Sequence, residues 1–175
     1  MRCFIAIDLP GEIKDRIEEV KKYFKIKGIK LVEKENLHIT IKFLGEIDGE
    51  TVERIKNLDL SISPIKVKIK NIGVFPNENY IRVIWLGSTN LVDLFKEVDE
   101  KLSEIGFKKE KEYIPHVTIG RVKFIENKKT LKDKIEKHKK IDIGEFEVKG
   151  IKLMKSTLTP NGPIYEVIKE WKIDK

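Results

Sequence analysis

The chain has 175 residues, enough for one domain with a real core, and its 36 lysines and arginines outnumber 29 acidic residues for a net charge of +7 that favours anionic partners. Only five of the basic residues are arginine and there is no glutamine, a Lys/Glu-rich balance that points to a heat-adapted cytosolic protein. A lone cysteine, Cys3, excludes an internal disulfide and a cysteine-based zinc site and suits a reducing cytoplasm, while the apolar run CFIAIDLP is too short to span a membrane or serve as a secretory signal.

Arg2 to Leu9 reads as a strand cut by Pro10. Ile13, Ile17, Val20 and Phe24 recur at helical spacing, which predicts an amphipathic helix from Gly11 to about Phe24. After a glycine-marked turn, Leu37, Ile39, Ile41 and Phe43 alternate with His38, Thr40 and Lys42. That is period two, a strand with its apolar side in the core, ended by Gly45. Val52, Ile55 and Leu58 carry a second short helix, and Val67 to Val74 an extended segment bulged at Lys70-Asn71, where the period slips.

Ile81 to Leu86 is another strand, and Asn90 with Asp93 suggests the N-terminal cap of a helix striped by Leu91, Leu94, Phe95, Val98, Leu102 and Ile105. Ile114, Val117 and Ile119 surround a second His-x-Thr, and Thr130 with Asp133 opens a short helix carrying Leu131 and Ile135. Phe146 to Leu153 and Tyr165 to Trp171 are the last two strands.

The order strand, helix, His-x-Thr strand, helix, strand thus occurs twice. His38 and His116 are 78 residues apart, and the expected helix caps Glu50 and Thr130 and the strands at Val67 and Phe146 keep nearly the same offset. We therefore expect one α+β domain over 1–175, made of two pseudo-symmetric halves (about 1–78 and 79–175). Two antiparallel-rich sheets would line a central cleft, with helices on the outer faces.

On a strand, residues i and i+2 share a face, so His38 pairs with Thr40 and His116 with Thr118. Two imidazoles meeting in one cleft suit attack and departure on opposite sides of a phosphorus. A neutral ring takes a proton from the incoming oxygen, and a protonated one gives a proton to the leaving oxygen. The threonine hydroxyls can donate to the non-bridging oxygens. Such chemistry demands no metal and no cofactor; a zinc pair completed by Asp8 is the rival use of the same histidines, without the cysteines or His-Glu-x-x-His helix that would support it. His138 sits among lysines at a helix end and reads as surface. Phosphate-cradling glycine loops and a Gly-x-Ser-x-Gly elbow are absent from the sequence.

HITI at His38 to Ile41 and HVTI at His116 to Ile119 resemble the paired motifs of the 2H phosphoesterase superfamily. With RCFIAIDLP, NLHITIKFLGE, GVFPNENYIRVIWLG and YIPHVTIGRV, the chain is similar along nearly its whole length to the RNA 2',3'-cyclic phosphodiesterase family, also called 2'-5' RNA ligase. The resemblance implies a bilobal body with the site between lobes, and hydrolysis of a terminal 2',3'-cyclic phosphate to a 2'-phosphomonoester without metal or ATP. It makes His38 the proton donor and His116 the proton acceptor, an order that the residues alone leave open. Thr40 and Thr118 match phosphate-binding threonines. The reverse reaction would join a cyclic end to a hydroxyl in a 2'-5' linkage.

Arg121 lies beyond the second motif and reaches the phosphate only if its strand twists or ends at Gly120, since strict alternation points it away. Lys42 shares the expected face of His38 and Thr40 and is assigned to the cleft rim. Phe75 or Tyr80 could stack a nucleobase, with Arg82 nearby, whereas Trp85 fits the core. The expected partner is RNA with a cyclic phosphate end, including tRNA fragments or small cyclic nucleotides, acted on by a cytoplasmic monomer with no membrane association. A basic RNA-binding module without catalysis is the alternative.

Overall fold

A computed structural model of the chain describes residues 1–172. β1 (Arg2–Asp8) is buried from Cys3 to Ile7. α1 (Gly11–Lys21) buries Ile13, Ile17 and Val20, and a 3₁₀ turn over Lys22–Phe24 carries it to the expected end. A short strand that the sequence pattern does not announce, β2 (Ile29–Leu31), precedes β3 (His38–Glu46), α2 (Gly49–Lys56) and β4 (Ile65–Asn77). The expected bulge is present: the register shifts between Lys70 and Ile72, and Asn71 takes a φ of 65°.

The second half runs β5 (Tyr80–Ser88), α3 (Val92–Ser103), β6 (His116–Val122), α4 (Lys128–His138), β7 (Asp142–Val148), β8 (Gly150–Thr159) and β9 (Gly162–Lys172). The strand expected over Phe146 to Leu153 is therefore two strands, and they lie in different parts of the sheet. Val67 and Phe146, matched by their offset, are register partners in the β4–β7 pair.

Helix ends also differ from the sequence reading. Asp48 caps α2 by accepting from Thr51 N at 2.8 Å, and Asn127 caps α4 by accepting from Thr130 N at 3.1 Å. Glu50 and Thr130 lie within the first turns instead. Asn90 and Asp93 do not cap α3; Asn90 adopts a φ of 63° and donates its side-chain amide to Lys66 O at 3.1 Å.

The α+β architecture holds, but the two expected sheets form one nine-stranded antiparallel sheet in the order β7-β4-β5-β6-β3-β1-β8-β9, with β2 on β6. The halves of this order meet where β3 faces β6, through the single register pair Ile39–Val117. Chain halves and spatial lobes do not coincide: β4 pairs with β5, and β8 returns to pair with β1. The helices exchange too, with α1 packed on β7 and β6 and α3 on β3. The apolar stripe of α3 (Leu94, Phe95, Val98, Leu102) is buried as its spacing requires. Ile39 and Val117 are both 0% exposed, each burial contributing about 1.5–3 kcal/mol to stability.

Because Asp48 and Asn127 each satisfy an otherwise unpaired helix N–H, Asp48→Ala should lower the urea midpoint of unfolding, and Asn127→Ala should lower the unfolding free energy by about 1 kcal/mol in the same titration. Thr130→Ala should have a smaller effect, which separates the two assignments of the α4 cap.

Candidate active site

The Ile39–Val117 pair sets the site. Both side chains point into the core, so their neighbours in sequence point the other way. Antiparallel register then puts His38 beside Thr118 and Thr40 beside His116, with the two histidines on a diagonal. In an undistorted pair such diagonals span about 7–8 Å, enough to hold a phosphoryl group between two imidazoles. All four side chains line one cleft of about 510 Å³.

Each imidazole is anchored in the same way. His38 Nδ1 lies 2.6 Å from Asn36 O, and His116 Nδ1 lies 2.6 Å from Ile114 O. A carbonyl only accepts, so Nδ1 carries the proton in both rings and the neutral form leaves the Nε2 lone pair free. At His38, the Thr40 hydroxyl donates to Nε2 at 2.8 Å. At His116, Nε2 has no hydrogen-bond partner among the described residues. Aromatic rings fix both planes: Phe4 and Tyr165 at 5.0 and 5.3 Å from His38, and Phe75 and Trp85 at 5.1 and 5.6 Å from His116.

Arg121 lines the cleft, and a bulge explains how. Against β5, Thr118 pairs with Trp85 and Gly120 with Ile84, leaving Ile119 as the extra residue. That residue reverses the alternation and returns Arg121 to the histidine face. β3 has the corresponding bulge: Thr40 pairs with Ala6 and Lys42 with Ile5, leaving Ile41 extra. The same reversal brings Phe43 into the cleft, 50% exposed, instead of into the core where strict alternation put it.

Lys42 is consequently not a rim cation. It is 5% exposed and points away from the cleft, held by Asp99 Oδ1 at 2.5 Å. Phe75 presents its ring to His116 at 83° and packs against Trp85. Trp85 in turn lies over Gly73, where a Cβ would come within 2.2 Å of the indole. Tyr80, with Arg82 against its face at 5.5 Å, lines a separate groove beside Phe124 and Leu131. The structure brings together His38, Thr40, His116, Thr118 and Arg121, and leaves Lys42 and Tyr80 outside.

Sequence reasoning missed Phe43, Tyr165, Arg2, Lys30 and Lys123, all of which line the cleft. Phe43 had a signal: it follows His38 by the same five residues that separate Arg121 from His116. Tyr165 had none, because only the β9–β8–β1 pairing carries it to His38. Arg2 stacks over the Phe43 ring at 4.9 Å. With Lys30, Arg121 and Lys123 against Glu33 alone, the lining is strongly cationic.

Electrostatics depress both histidines. Burial pushes the His38 imidazole below its ordinary value, against a raising contribution from its Asn36 bond and from Asp8. Burial likewise pushes His116 down, with the Arg121 guanidinium adding to the effect and no carboxylate opposing it. Asp8 is itself held low: burial would raise it, but Lys152 at 3.1 Å and Lys14 at 3.5 Å stabilise its charge. Among the described residues, no group of three or more His, Cys, Asp or Glu side chains is arranged to hold a metal ion.

Known proteins are similar to the chain in sequence and in fold. The chain is 70% identical over 173 residues to the RNA 2',3'-cyclic phosphodiesterase of Methanocaldococcus jannaschii, covering 98% of this chain and 100% of the relative. It is 37% identical over 174 residues to the protein of the same name from Methanothermobacter thermautotrophicus, covering 94% and 95%. The crystal structure of TT0787 of Thermus thermophilus superposes with a TM-score of 0.83 at 26% identity, covering 99% of this chain and 98% of that one. The LigT like phosphoesterase model matches twice, over residues 7–85 and 87–165, so each match carries one His-x-Thr strand, and the chain belongs to the LigT-like phosphoesterase family.

Proposed function

We propose that the protein hydrolyses the 2',3'-cyclic phosphate at an RNA end to a 2'-phosphomonoester. The observation that carries this reading is the pair of imidazoles, each fixed by an Nδ1–carbonyl bond, lining one cationic cleft from two strands. The names of the two relatives support the same substrate. His116 Nε2, unencumbered, takes a proton from water as the water oxygen attacks phosphorus. The bond to O3' breaks, and protonated His38 supplies the proton to that oxygen. Arg121 disfavours the charged form of both rings, whereas the Asp8 carboxylate favours it at His38 and has no counterpart at His116; this difference supports the assignment of acid and base.

Thr40 and Thr118 hydroxyls donate to the non-bridging oxygens, and the planar Arg121 guanidinium matches two of them at once. The open face of Phe43 stacks the terminal base. Arg2, Lys30 and Lys123 receive the phosphates of the attached strand, which favours RNA ends, tRNA fragments included, over free cyclic nucleotides. Read backwards, the same groups join a cyclic end to a hydroxyl in a 2'-5' linkage without ATP, since the cyclic ester is the activated species.

Proton transfer and hydrogen bonding cover every step, so no metal enters. We also read the chain as a single body of two half-repeats, because β4, β8, α1 and α3 each pack across the halves. It would act as a cytoplasmic monomer, consistent with its buried free Cys3. Among the described residues, no helix is long and apolar enough to cross a membrane.

Incubating a cyclic-ended oligoribonucleotide with the protein in excess EDTA should give a 2'-phosphate, with His38→Ala and His116→Ala each slowing kcat by about 10²–10⁴-fold. Salt-sensitive RNA binding without turnover, loss of activity on chelation, or activity surviving either substitution would reject the reading. Since both imidazoles are depressed in the free protein, the bell-shaped profile of kcat/KM should peak below the ordinary imidazole value of about 6.5. Arg121→Ala removes a guanidinium that disfavours both charged rings, so the bell should move to higher pH as the rate falls. Phe43→Ala should raise KM on RNA ends, measured under the same conditions.

A further inference from the structure

Lys42 and Asp99 form a buried ion pair that the chemistry above does not use; they are 5% and 2% exposed. Lys42 Nζ donates to Asp99 Oδ1 at 2.5 Å, to Lys108 O at 2.5 Å and to Glu110 Oε1 at 3.3 Å. Asp99 Oδ2 accepts from Glu110 N at 2.8 Å and from the Tyr113 hydroxyl at 2.6 Å. Apart from the pair itself, every partner belongs to the segment between α3 and β6, which contains no helix or strand. That segment includes Ile114, whose carbonyl anchors His116 Nδ1.

The matching carbonyl at His38 has a different support. Asn36 sits in a 3₁₀ turn closed by its own backbone, with Asn36 N donating to Glu33 O at 2.9 Å, and its side chain donates to Pro163 O at 3.1 Å. One imidazole is therefore oriented by a local turn. The other takes its orienting carbonyl from an irregular segment fastened from inside by two buried charges. Tyr113 is pushed up to about 12, chiefly by its bond to Asp99 and then by burial, so it remains a donor across the working range. Burial would raise the Asp99 carboxyl, but the bonds from Lys42, Tyr113 and Glu110 N hold it below its ordinary value.

We propose that the Lys42–Asp99–Tyr113 cluster positions His116, fixing the Ile114 carbonyl and with it the tautomer and aim of the ring. Lys42 lies on the strand that carries His38, so the cluster fastens the Ile114 segment to that strand. These are positioning residues, since none of them lines the cleft. The charged group acting on His116 is Arg121; Phe75 and Trp85 flank the ring. The inference rests on the acid–base reading of the two histidines.

The test uses the full chain, with Tyr113→Phe removing one hydrogen bond and Asp99→Asn removing the charge at constant shape. Imidazole ¹⁵N spectra of the neutral rings should show one tautomer for His116 in the unsubstituted protein, protonated at Nδ1, and a mixture in both variants, while His38 is unchanged. On cyclic-ended RNA, kcat should fall on the order of tenfold with KM unchanged. The limb of the pH profile that belongs to His116 should move to lower pH, because a carbonyl bond that favours the charged ring is loosened. A wild-type His116 spectrum in Tyr113→Phe overturns the proposal, as does a kcat loss with no spectral change. If Asp99→Asn does not fold, Tyr113→Phe alone decides. The spectra need no turnover: a tautomer shift in a protein that hydrolyses nothing upholds the positioning role and rejects the phosphodiesterase reading.

Discussion

One antiparallel contact, Ile39 against Val117, governs the site. It joins the two runs of strands, and both side chains are fully buried, so apolar burial holds the junction from behind. Everything on the opposite face follows from its register. A slip of either strand by one residue would turn its own histidine into the core and its isoleucine or valine toward the cleft. With only one pair joining β3 to β6, the strands are free to diverge on either side, which leaves a cleft where a longer ladder would leave a flat surface.

The two His-x-Thr strands then diverge in chemistry through a shared distortion. Each carries a bulge three residues past its histidine, at Ile41 and Ile119, and each returns the fifth residue to the cleft. One copy delivers Phe43, an apolar platform, and the other Arg121, a fixed cation. The residue turned inward differs as well. At Gly120, a Cβ would meet the side chains of Ile29 and Leu31 of β2 at 3.2 and 3.3 Å, so the small residue admits a neighbouring strand. At Lys42 there is room for a long side chain with a buried carboxylate at its end. Breaking such a pair from one side costs about 3–5 kcal/mol, so its presence on the strand that carries His38 is a strong structural commitment.

Charge and burial act on the site in opposite senses. Removal from water and the Arg121 guanidinium disfavour an imidazolium at either position. The same cationic lining favours an anionic phosphodiester, whose own charge restores the protonated ring once it is bound. The cleft is thus poised to receive an anion. Asp8, opposite His38 in the β1–β3 register, favours the charged ring there against burial, Lys14 and Arg121, and has no counterpart at His116.

The sequence by itself determined the strands and helices with regular apolar spacing, the doubled order of elements, and the two His-x-Thr pairs with their shared faces, because periods of two and 3.6 are local properties of the chain. It also marked the β4 bulge, where the period visibly slips at Lys70-Asn71. It misplaced Lys42 and Phe43, since a bulge within an apolar run leaves no break in composition, and it joined β7 to β8 because both are apolar on either side of Lys149. Only the tertiary structure decided that β4 and β8 pair across the chain halves, that Tyr165 reaches His38, that Arg121 lines the cleft of the two histidines and that Asp99 meets Lys42. Those outcomes depend on which strand becomes whose neighbour, and pairing is set by contacts between residues far apart in sequence that no local pattern encodes.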